Sequence, residues 1–166
     1  MIDITGLSRN YDVRRLTESD IDAILQICQD NSQFYLYCQA RPVREEICND
    51  MHITPPDIDI SAKYYIGFFQ EDELIAVMDL IDGYPEKEIA FIGFFMMKKE
   101  WQGQEIGTRI ISDVAAYLKQ IGKAALHLGI DKENPQSNHF WKKNGFSIIR
   151  EVDRDGWKIL YAERKL

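Results

Sequence analysis

Several features that would point to particular classes of protein are missing from this sequence of 166 residues. No apolar run approaches the length needed to cross a membrane. The first residues, Met1–Thr5, lack the basic region and the apolar core of a secretory signal. The three cysteines, Cys28, Cys38 and Cys48, are odd in number and lack metal-ligand spacing. We therefore expect reduced thiols in a cytoplasmic protein that has no membrane partner.

Positive charge is also scarce. The 20 Lys and Arg residues are outnumbered by 27 Asp and Glu residues, and the net charge of −7 disfavours nucleic acid as a partner. No group of histidine, cysteine and acidic residues is spaced like metal ligands, so no metal is expected. A content of 45% hydrophobic and 28% charged residues is typical of a globular protein. The length suits one domain spanning residues 1–166.

Along the sequence, patterns typical of strands alternate with patterns typical of helices. Apolar or alternating runs predict strands at 11–16, 63–69, 74–81, 88–97, 124–130, 146–152 and 157–164. Helices are predicted after the acidic capping box Thr17–Asp20, over Ser32 to Gln39, from Pro42, at 106–121 and at 135–144. Strands 88–97 and 124–130 flank one helix, so they should run parallel through a right-handed crossover. These elements predict an α/β (α+β) fold with a mixed, twisted central sheet of about six to seven strands and helices on both faces.

The most informative stretch joins the long apolar strand at 88–97 to the helix at 106–121. The N-terminus of a helix has backbone N–H groups without intrahelical partners, and it carries partial positive charge. Gly103 and Gly107 have no Cβ, so the backbone there can lie close to a ligand. The turn therefore predicts a site for a phosphate or pyrophosphate group. An ordinary strand-to-helix turn that binds nothing is the alternative interpretation.

Three phosphate-binding patterns compete for this turn. A Walker loop requires Lys before its final Ser or Thr, and no Lys precedes Thr108. A dinucleotide fingerprint requires G-x-G-x-x-G, and Gly103 and Gly107 are spaced wrongly for it. The third pattern, Gln/Arg-x-x-Gly-x-Gly/Ala, is that of loops that bind the pyrophosphate of acyl-CoA. The stretch Gln102–Gly107 matches its first and last positions.

A second motif follows the strand at 124–130. The stretch Asn134–Phe146 is similar to the pattern Asn-x-x-Ala-x-x-Phe/Leu-Tyr-x-x-x-Gly-Phe. Together with the loop, it makes the chain resemble the GNAT superfamily of N-acetyltransferases from Asp12 to about Arg164. The resemblance implies the acyl-CoA N-acyltransferase fold, acetyl-CoA (CoA) as the cofactor, and transfer of an acetyl group to a primary amine by direct attack. The acceptor, a small molecule or a peptide, is not specified by any pattern, although the net charge suits a cationic amine.

The resemblance also implies a set of cofactor-binding residues. The strand before the loop should hold the pantetheine arm through its backbone, the loop should hold the pyrophosphate through N–H groups, and the second motif should complete the site. These residues are Phe95, Met96, Met97, Gln102, Gly103, Gln104, Glu105, Ile106, Gly107, Thr108, Asn134, Ser137, Phe140 and Trp141. A helix cap next to Pro135 is the alternative role for Asn134.

Two positions depart from the family pattern. Glu105 stands where relatives usually have glycine, so a positive φ there would cost of order 1 kcal/mol. Trp141 stands where many relatives have a tyrosine that protonates the departing thiolate, and an indole N–H is not an acid at neutral pH. We expect Trp141 to pack on the pantetheine or to donate to its sulfur, while water helps the thiolate to leave. These departures keep open a non-catalytic acyl-CoA-binding or regulatory module with the same fold.

The general base is the least defined part of the site. No carboxylate lies within residues 90–97, where some relatives carry the base. Asp79 is the preferred candidate, because a carboxylate inside an apolar run needs a partner or a role. Asp82 and Glu88 are the other candidates, and each is also explained as a solvated residue at a strand end.

In the superfamily, the segment after the first helix lines the acceptor pocket. This makes Tyr35 and Tyr37 candidate substrate-binding residues, together with Tyr84 from the Gly-Tyr-Pro turn. Packing is the alternative role for each tyrosine. The exposed edges of the predicted sheet favour a homodimer.

Overall fold

A single sheet of seven strands organises the molecule, for which the computed structural model describes every residue from Met1 to Leu166. The strands are β1 (Asp12–Arg15), β2 (Lys63–Gln70), β3 (Glu73–Asp82), β4 (Ile89–Met97), β5 (Ala125–Asp131), β6 (Ser147–Arg154) and β7 (Trp157–Lys165). Their order in the sheet is β1-β2-β3-β4-β5-β7-β6. Strands β4 and β5 pair in parallel and all other neighbours are antiparallel, which confirms the predicted parallel pair and the mixed sheet.

Four α-helices cover the two faces of this sheet. They are α1 (Ile21–Asp30), α2 (Arg44–His52), α3 (Ile106–Gln120) and α4 (Pro135–Lys143). The apolar sides of α1 and α2 pack on one face, and those of α3 and α4 pack on the other, so the predicted helices on both faces are confirmed. None of these helices is both long and apolar enough to cross a lipid bilayer.

The alternation of side chains along the central strands builds one core on each face. In β3, Met78 and Leu80 point towards α3, whereas Val77 points towards α1. Strands β2 and β3 are buried along almost their whole length, as expected for strands covered on both sides. Complete burial of a side chain such as Ile110 of α3 contributes about 1.5–3 kcal/mol.

Two predicted helices differ from the structure. The segment from Ser32 to Gln39 contains only a 3₁₀ turn at Phe34–Leu36, because its N–H groups bond to carbonyls three residues earlier. Helix α2 begins at Arg44 rather than Pro42. The residue before it, Val43, has an extended backbone with φ of −128°, and its N–H donates to the Arg41 carbonyl in a turn that precedes the helix.

Strands β4 and β5 part halfway along their length. They pair only from Ile89 to Ile92 on β4 and from Ala125 to Leu128 on β5. The register between β3 and β4 shifts beyond this point, because Leu80 pairs with Ile92 while Asp79 pairs with Phe94. Gly93 is therefore the extra residue of a β-bulge, which bends a strand and increases its twist. The outer halves of β4 and β5 consequently frame an opening in the middle of the sheet.

Candidate functional site

A cavity of about 690 Å³ occupies the opening between β4 and β5. Ile92 and Leu128 line it from the α3 side of the sheet. Phe94 lines it from the α1 side, as does Asp131, which alternates with the α3-facing Ile130 along β5. The cavity therefore passes between the two strands and is reached by side chains from both faces.

The loop before α3 presents a row of free backbone donors to this cavity. The N–H groups of the six residues from Gly103 to Thr108 have no acceptor within the protein. The first N–H group that forms a helical hydrogen bond is that of Arg109, which donates to the Glu105 carbonyl at 3.0 Å. Free N–H groups at a helix N-terminus bind anions, and the helix dipole adds to the attraction. This end of the cavity is therefore suited to a phosphate group.

Glu105 has the left-handed backbone that glycine would adopt without strain. Its φ is 61° and it occupies the cap position of α3. Its carboxylate forms an ion pair with Lys143 of α4, and this hydrogen bond and charge hold the pKa of Glu105 below its usual range. The negative charge that the sequence placed in the loop is therefore neutralised by a neighbouring helix.

Gly107 allows the start of α3 to pack tightly against its neighbours. A Cβ at this position would lie 2.8 Å from the sulfur of Met97 and 3.2 Å from the ring of Phe140. The contact of α3 with β4 and α4 therefore requires glycine at this position. This close contact places the free N–H groups at the end of the opening between β4 and β5. Gly103, with φ of 72°, has open space around it and supplies the turn.

Aromatic rings form the wall of the cavity on the α3 side. Phe95 stacks with Phe140 at 6.0 Å between ring centroids, and Trp141 meets the Phe140 ring edge-on at 4.9 Å. Trp141 is 8% exposed, lines the cavity, and its indole N–H has no acceptor within the protein. The site combines an anion-binding end with an apolar wall, so it suits a ligand that has both a phosphate and an uncharged arm.

The structure brings together most of the predicted cofactor-binding residues. All of them line the cavity except Gln104 and Asn134. The Gln104 side chain turns back to the Glu100 carbonyl at 2.9 Å. The Asn134 side chain accepts from the N–H of Ser137 at 3.1 Å, so it has the alternative role of a helix cap. Neither side chain reaches the cavity, whereas the backbone N–H of Gln104 belongs to the free row at the start of α3.

The Gln102 side chain also has a partner within the protein. Its amide donates to the Asn31 side chain at 2.7 Å and to the Met97 carbonyl at 3.0 Å. Gln102 thus ties the loop to the end of α1 and to the end of β4. Its contribution to the site is to hold the loop in position.

Asp79 lies directly behind the bulge in β4. A Cβ on Gly93 would lie 2.7 Å from its Oδ2, and Lys63 donates to the same oxygen at 2.7 Å. Asp79 is 8% exposed and Lys63 is 5% exposed, so this ion pair is buried. Burial raises the pKa of Asp79 and the Lys63 ammonium opposes that rise, while Oδ1 has no partner. The other two candidates lie elsewhere, since Asp82 pairs with Lys123 and Glu88 is exposed.

Asp131 is a cavity residue that the sequence analysis did not select. It is the last residue of β5, half-buried, and its carboxylate forms no hydrogen bond or ion pair. Burial raises the pKa of Asp131 because no cation lies beside it. The available signal was its position at the carboxyl end of a parallel strand, where ligands bind in open α/β sheets.

The three predicted substrate tyrosines do not line the cavity. Tyr35 packs towards the core beside the Cys28 thiol, and burial raises its pKa. Tyr84 meets the Phe91 ring edge-on at 5.3 Å, and Tyr37 is half-buried in the segment after α1. The cavity is lined on this side by Phe34 instead, which packs against Phe94. The tyrosines were selected by their segment, and the direction of each side chain was not predictable from it.

A mixed sheet whose central strands part beside an amide-lined helix N-terminus has the acyl-CoA N-acyltransferase fold. The sequence matches the model of the Acetyltransferase (GNAT) family over residues 24–146. The chain therefore belongs to this family and is an N-acetyltransferase, as the two motifs predicted. No curated protein matches the sequence significantly.

Solved structures support the same fold. An acetyltransferase from Thermus thermophilus superposes with a TM-score of 0.74 and 23% identity, covering 95% of this chain and 97% of that one. The PaiA N-acetyltransferase from Thermoplasma acidophilum, in complex with coenzyme A, gives 0.67 and 18%, covering 94% and 99%. A RimL ribosomal-protein alpha-N-acetyltransferase, also in complex with coenzyme A, gives 0.73 and 17%, covering 99% and 98%.

Proposed function

We propose that this N-acetyltransferase takes the acetyl group from acetyl-CoA and transfers it by direct attack to a primary amine of a small molecule or peptide. The observation that carries the proposal is the row of six free N–H groups at one end of a cavity that passes between β4 and β5. Two of the similar structures hold coenzyme A, which supports the same ligand for this chain.

The cavity residues fit each part of coenzyme A. The N–H groups of 103–108 would hold the pyrophosphate, with Lys99 nearby as a positive charge. The edge of β4 from Gly93 to Met97, which β5 leaves unpaired, offers backbone groups to the amides of the pantetheine arm. The rings of Phe140 and Trp141 would cover the arm on the α3 side.

The amine would approach from the α1 side of the sheet, where the cavity carries Phe34, Phe94 and Asp131. An amine arrives at neutral pH as an ammonium, so a base must remove a proton before the nitrogen can attack. Asp131 suits this role because it reaches the cavity and has no cationic partner. Asp79, the candidate from the sequence, is held by Lys63 behind Gly93 and does not line the cavity, so it would take this proton only through an intervening water.

The transfer itself forms one bond and breaks one. The amine nitrogen bonds to the acetyl carbon, the carbon–sulfur bond breaks, and the thiolate leaves. The free indole N–H of Trp141 would donate a hydrogen bond to the departing sulfur, which then takes its proton from water. The carboxylates on this face favour an acceptor that is cationic in solution.

Calorimetric titration with acetyl-CoA tests the donor site. Thr108 is the third residue of α3, a position that tolerates proline, so Thr108→Pro removes one free N–H and leaves the helix intact. We expect this variant to bind acetyl-CoA at least about tenfold more weakly, the value of one hydrogen bond to a charged group. The matched control Thr108→Val keeps the N–H and should bind as the unmodified protein does.

Thiol release with a panel of amines then tests turnover. Spermidine, tyramine and short peptides with free N-termini represent the main acceptor classes. Release of coenzyme A that depends on the amine supports the enzyme. Binding of acetyl-CoA without release by any amine would favour the alternative, a non-catalytic acyl-CoA-binding module, for which the absence of an acid at Trp141 is the specific reason.

Strand β6 supports a homodimer as part of the proposal. It is an edge strand, exposed along most of its length, and it carries the exposed residues Ile148 and Ile149. Exposed apolar edge strands are prone to pair with another chain. Light scattering on the purified protein should give twice the mass of one chain, and Ile149→Lys should reduce it to a single chain.

We further propose that the chain acts as one domain in the cytoplasm. All seven strands belong to one sheet, so no boundary divides the strands between two units. Cys28, Cys38 and Cys48 are free thiols, which fit a reducing compartment.

A further inference from the structure

Three side chains of the kind that bind transition metals meet at the C-terminal end of α2. Cys48 and His52 lie one turn apart on α2 and share one face of the helix. Glu18 belongs to the 3₁₀ turn that leads into α1. One ligand atom from each of the three lies within 4.8 Å of the other two, and His52 Nε2 is 3.1 Å from Glu18 Oε1.

We propose that Glu18, Cys48 and His52 form a zinc-binding site that is separate from the acetyl-transfer cavity. Zinc is bound by this mixture of thiolate, imidazole and carboxylate, whereas calcium and magnesium require oxygen ligands. Three protein ligands leave the fourth position of a tetrahedral ion open to water.

The distances allow zinc coordination after small side-chain movements. Zinc–ligand bonds of about 2.0–2.3 Å place ligand atoms about 3.3–3.8 Å apart in a tetrahedron. Since no separation exceeds 4.8 Å, none must close by more than about 1 Å. The side chains of Glu18 and His52 are 66% and 62% exposed, so they can rotate into place without backbone movement.

The local charges favour a cation at this point. His52 is the last residue of α2, where the carbonyl end of the helix carries partial negative charge. Glu18 and His52 line a small pocket together with two positive side chains, Arg15 and Lys63, and both of these are already engaged. Lys63 is paired with Asp79, and Arg15 donates to the Lys63 carbonyl while its guanidinium lies 4.6 Å from the centre of the Tyr64 ring. A carboxylate and a thiolate together balance the charge of Zn²⁺.

Zinc at this site would add a connection between α2 and the turn that precedes α1. The start of α2 is tied to α1 by an exposed ion pair between Arg44 and Asp22, and its middle is held by the buried side chains of Ile47 and Met51. The metal would fix the other end of α2 to the turn before α1. Because zinc binds only the folded chain in this geometry, it should raise the melting temperature.

Untagged protein, freed of metal with a chelator, would be titrated with ZnCl₂ by calorimetry and with CoCl₂ by absorbance. We expect one ion per chain and a near-ultraviolet thiolate–cobalt band. Cys48→Ser should abolish the band, and His52→Gln should weaken zinc binding at least about tenfold, since even the outer partners of metal ligands contribute about 10–100-fold.

Matched controls use the same residue types outside the cluster. Cys38→Ser and His139→Gln should leave the stoichiometry, affinity and cobalt band unchanged. His52 is exposed, so His52→Gln tests the site even if Cys48→Ser, which alters a half-buried residue, reduces folding. Absence of stoichiometric zinc binding, or binding that survives both Cys48→Ser and His52→Gln, would overturn the proposal.

Discussion

Glu105 combines an unfavourable backbone conformation with a carboxylate that pairs with a neighbouring lysine. Its left-handed conformation costs about 1 kcal/mol relative to glycine. Its carboxylate is bonded to Lys143, so that lysine is not free to attract an anion in the cavity. Both effects act in the loop that is proposed to bind pyrophosphate.

The variant Glu105→Gly should therefore be more stable and should bind acetyl-CoA more tightly. We expect the free energy of unfolding to rise by about 1 kcal/mol, because glycine adopts this conformation without strain. Denaturant unfolding and calorimetric titration measure the two effects. The control Glu105→Gln removes the charge and keeps the strain, so it should improve binding but not stability. Weaker binding by both variants would show that Glu105 contributes to the site.

Asp131 should affect stability and activity in opposite directions. Burial raises its pKa in the folded protein above the value of the unfolded chain. The folded protein then holds the proton more tightly, so stability falls as the pH rises from the unfolded pKa through the folded pKa. At neutral pH the charged Asp131 therefore costs stability, and Asp131→Asn should be more resistant to unfolding there, with the difference vanishing in acid.

In the same variant, kcat/KM for an amine found by the thiol-release screen should fall at least about 100-fold, as expected for loss of a general base. Unfolding curves at several pH values check the predicted change in stability, and steady-state rates check the predicted change in activity. Glu133→Gln, which changes an exposed carboxylate nearby, serves as the control. A variant that loses stability at neutral pH would indicate a structural role for Asp131.

At the level of elements, the bulge in β4 depends on a contact between Gly93 and Asp79. A methyl group at position 93 would lie 2.7 Å from the Asp79 carboxylate, which is itself fixed by Lys63. Gly93→Ala should therefore lower the melting temperature and the affinity for acetyl-CoA. The double variant Gly93→Ala with Asp79→Ala removes the clash, but it also leaves Lys63 unpaired.

The single variant Asp79→Ala is the control for the double variant, because it carries the same unpaired lysine. If the contact is the cause, adding Gly93→Ala to Asp79→Ala should cost much less melting temperature than adding it to the unmodified protein. Equal losses in the two backgrounds would mean that the cost of alanine at position 93 does not come from this contact.

The elements and the loop were predictable because their signals are local. The long apolar run of β4, the free N–H groups before α3 and the proline at the start of α4 each act over a few residues. Asp131 and the tyrosines were not predictable in the same way, because their roles depend on the direction of a side chain after the sheet has formed. The cluster of Glu18, Cys48 and His52 was missed for the same reason, since α1 and α2 must pack before the ligands meet.

At the scale of the whole molecule, the net charge of −7 opposes the approach of an anionic donor. Screening shortens the range of this repulsion from about 30 Å at 0.01 M salt to about 8 Å at 0.15 M. The association rate constant of acetyl-CoA should therefore rise over this range. Stopped-flow fluorescence of Trp141, which lines the cavity, measures it. A rate that falls with salt would show that the local positive charge of Lys99 dominates the encounter.

The parting of β4 and β5 also has a consequence for the order of events in turnover. The donor would reach the opening from the α3 side and the amine from the α1 side, so neither occupant blocks the entrance of the other. Both can be present before any bond changes, and no acetylated form of the protein is needed between them. Initial-rate plots at several fixed amine concentrations should therefore give lines that intersect, whereas parallel lines would require a covalent acetyl-protein that this sheet has no need to form.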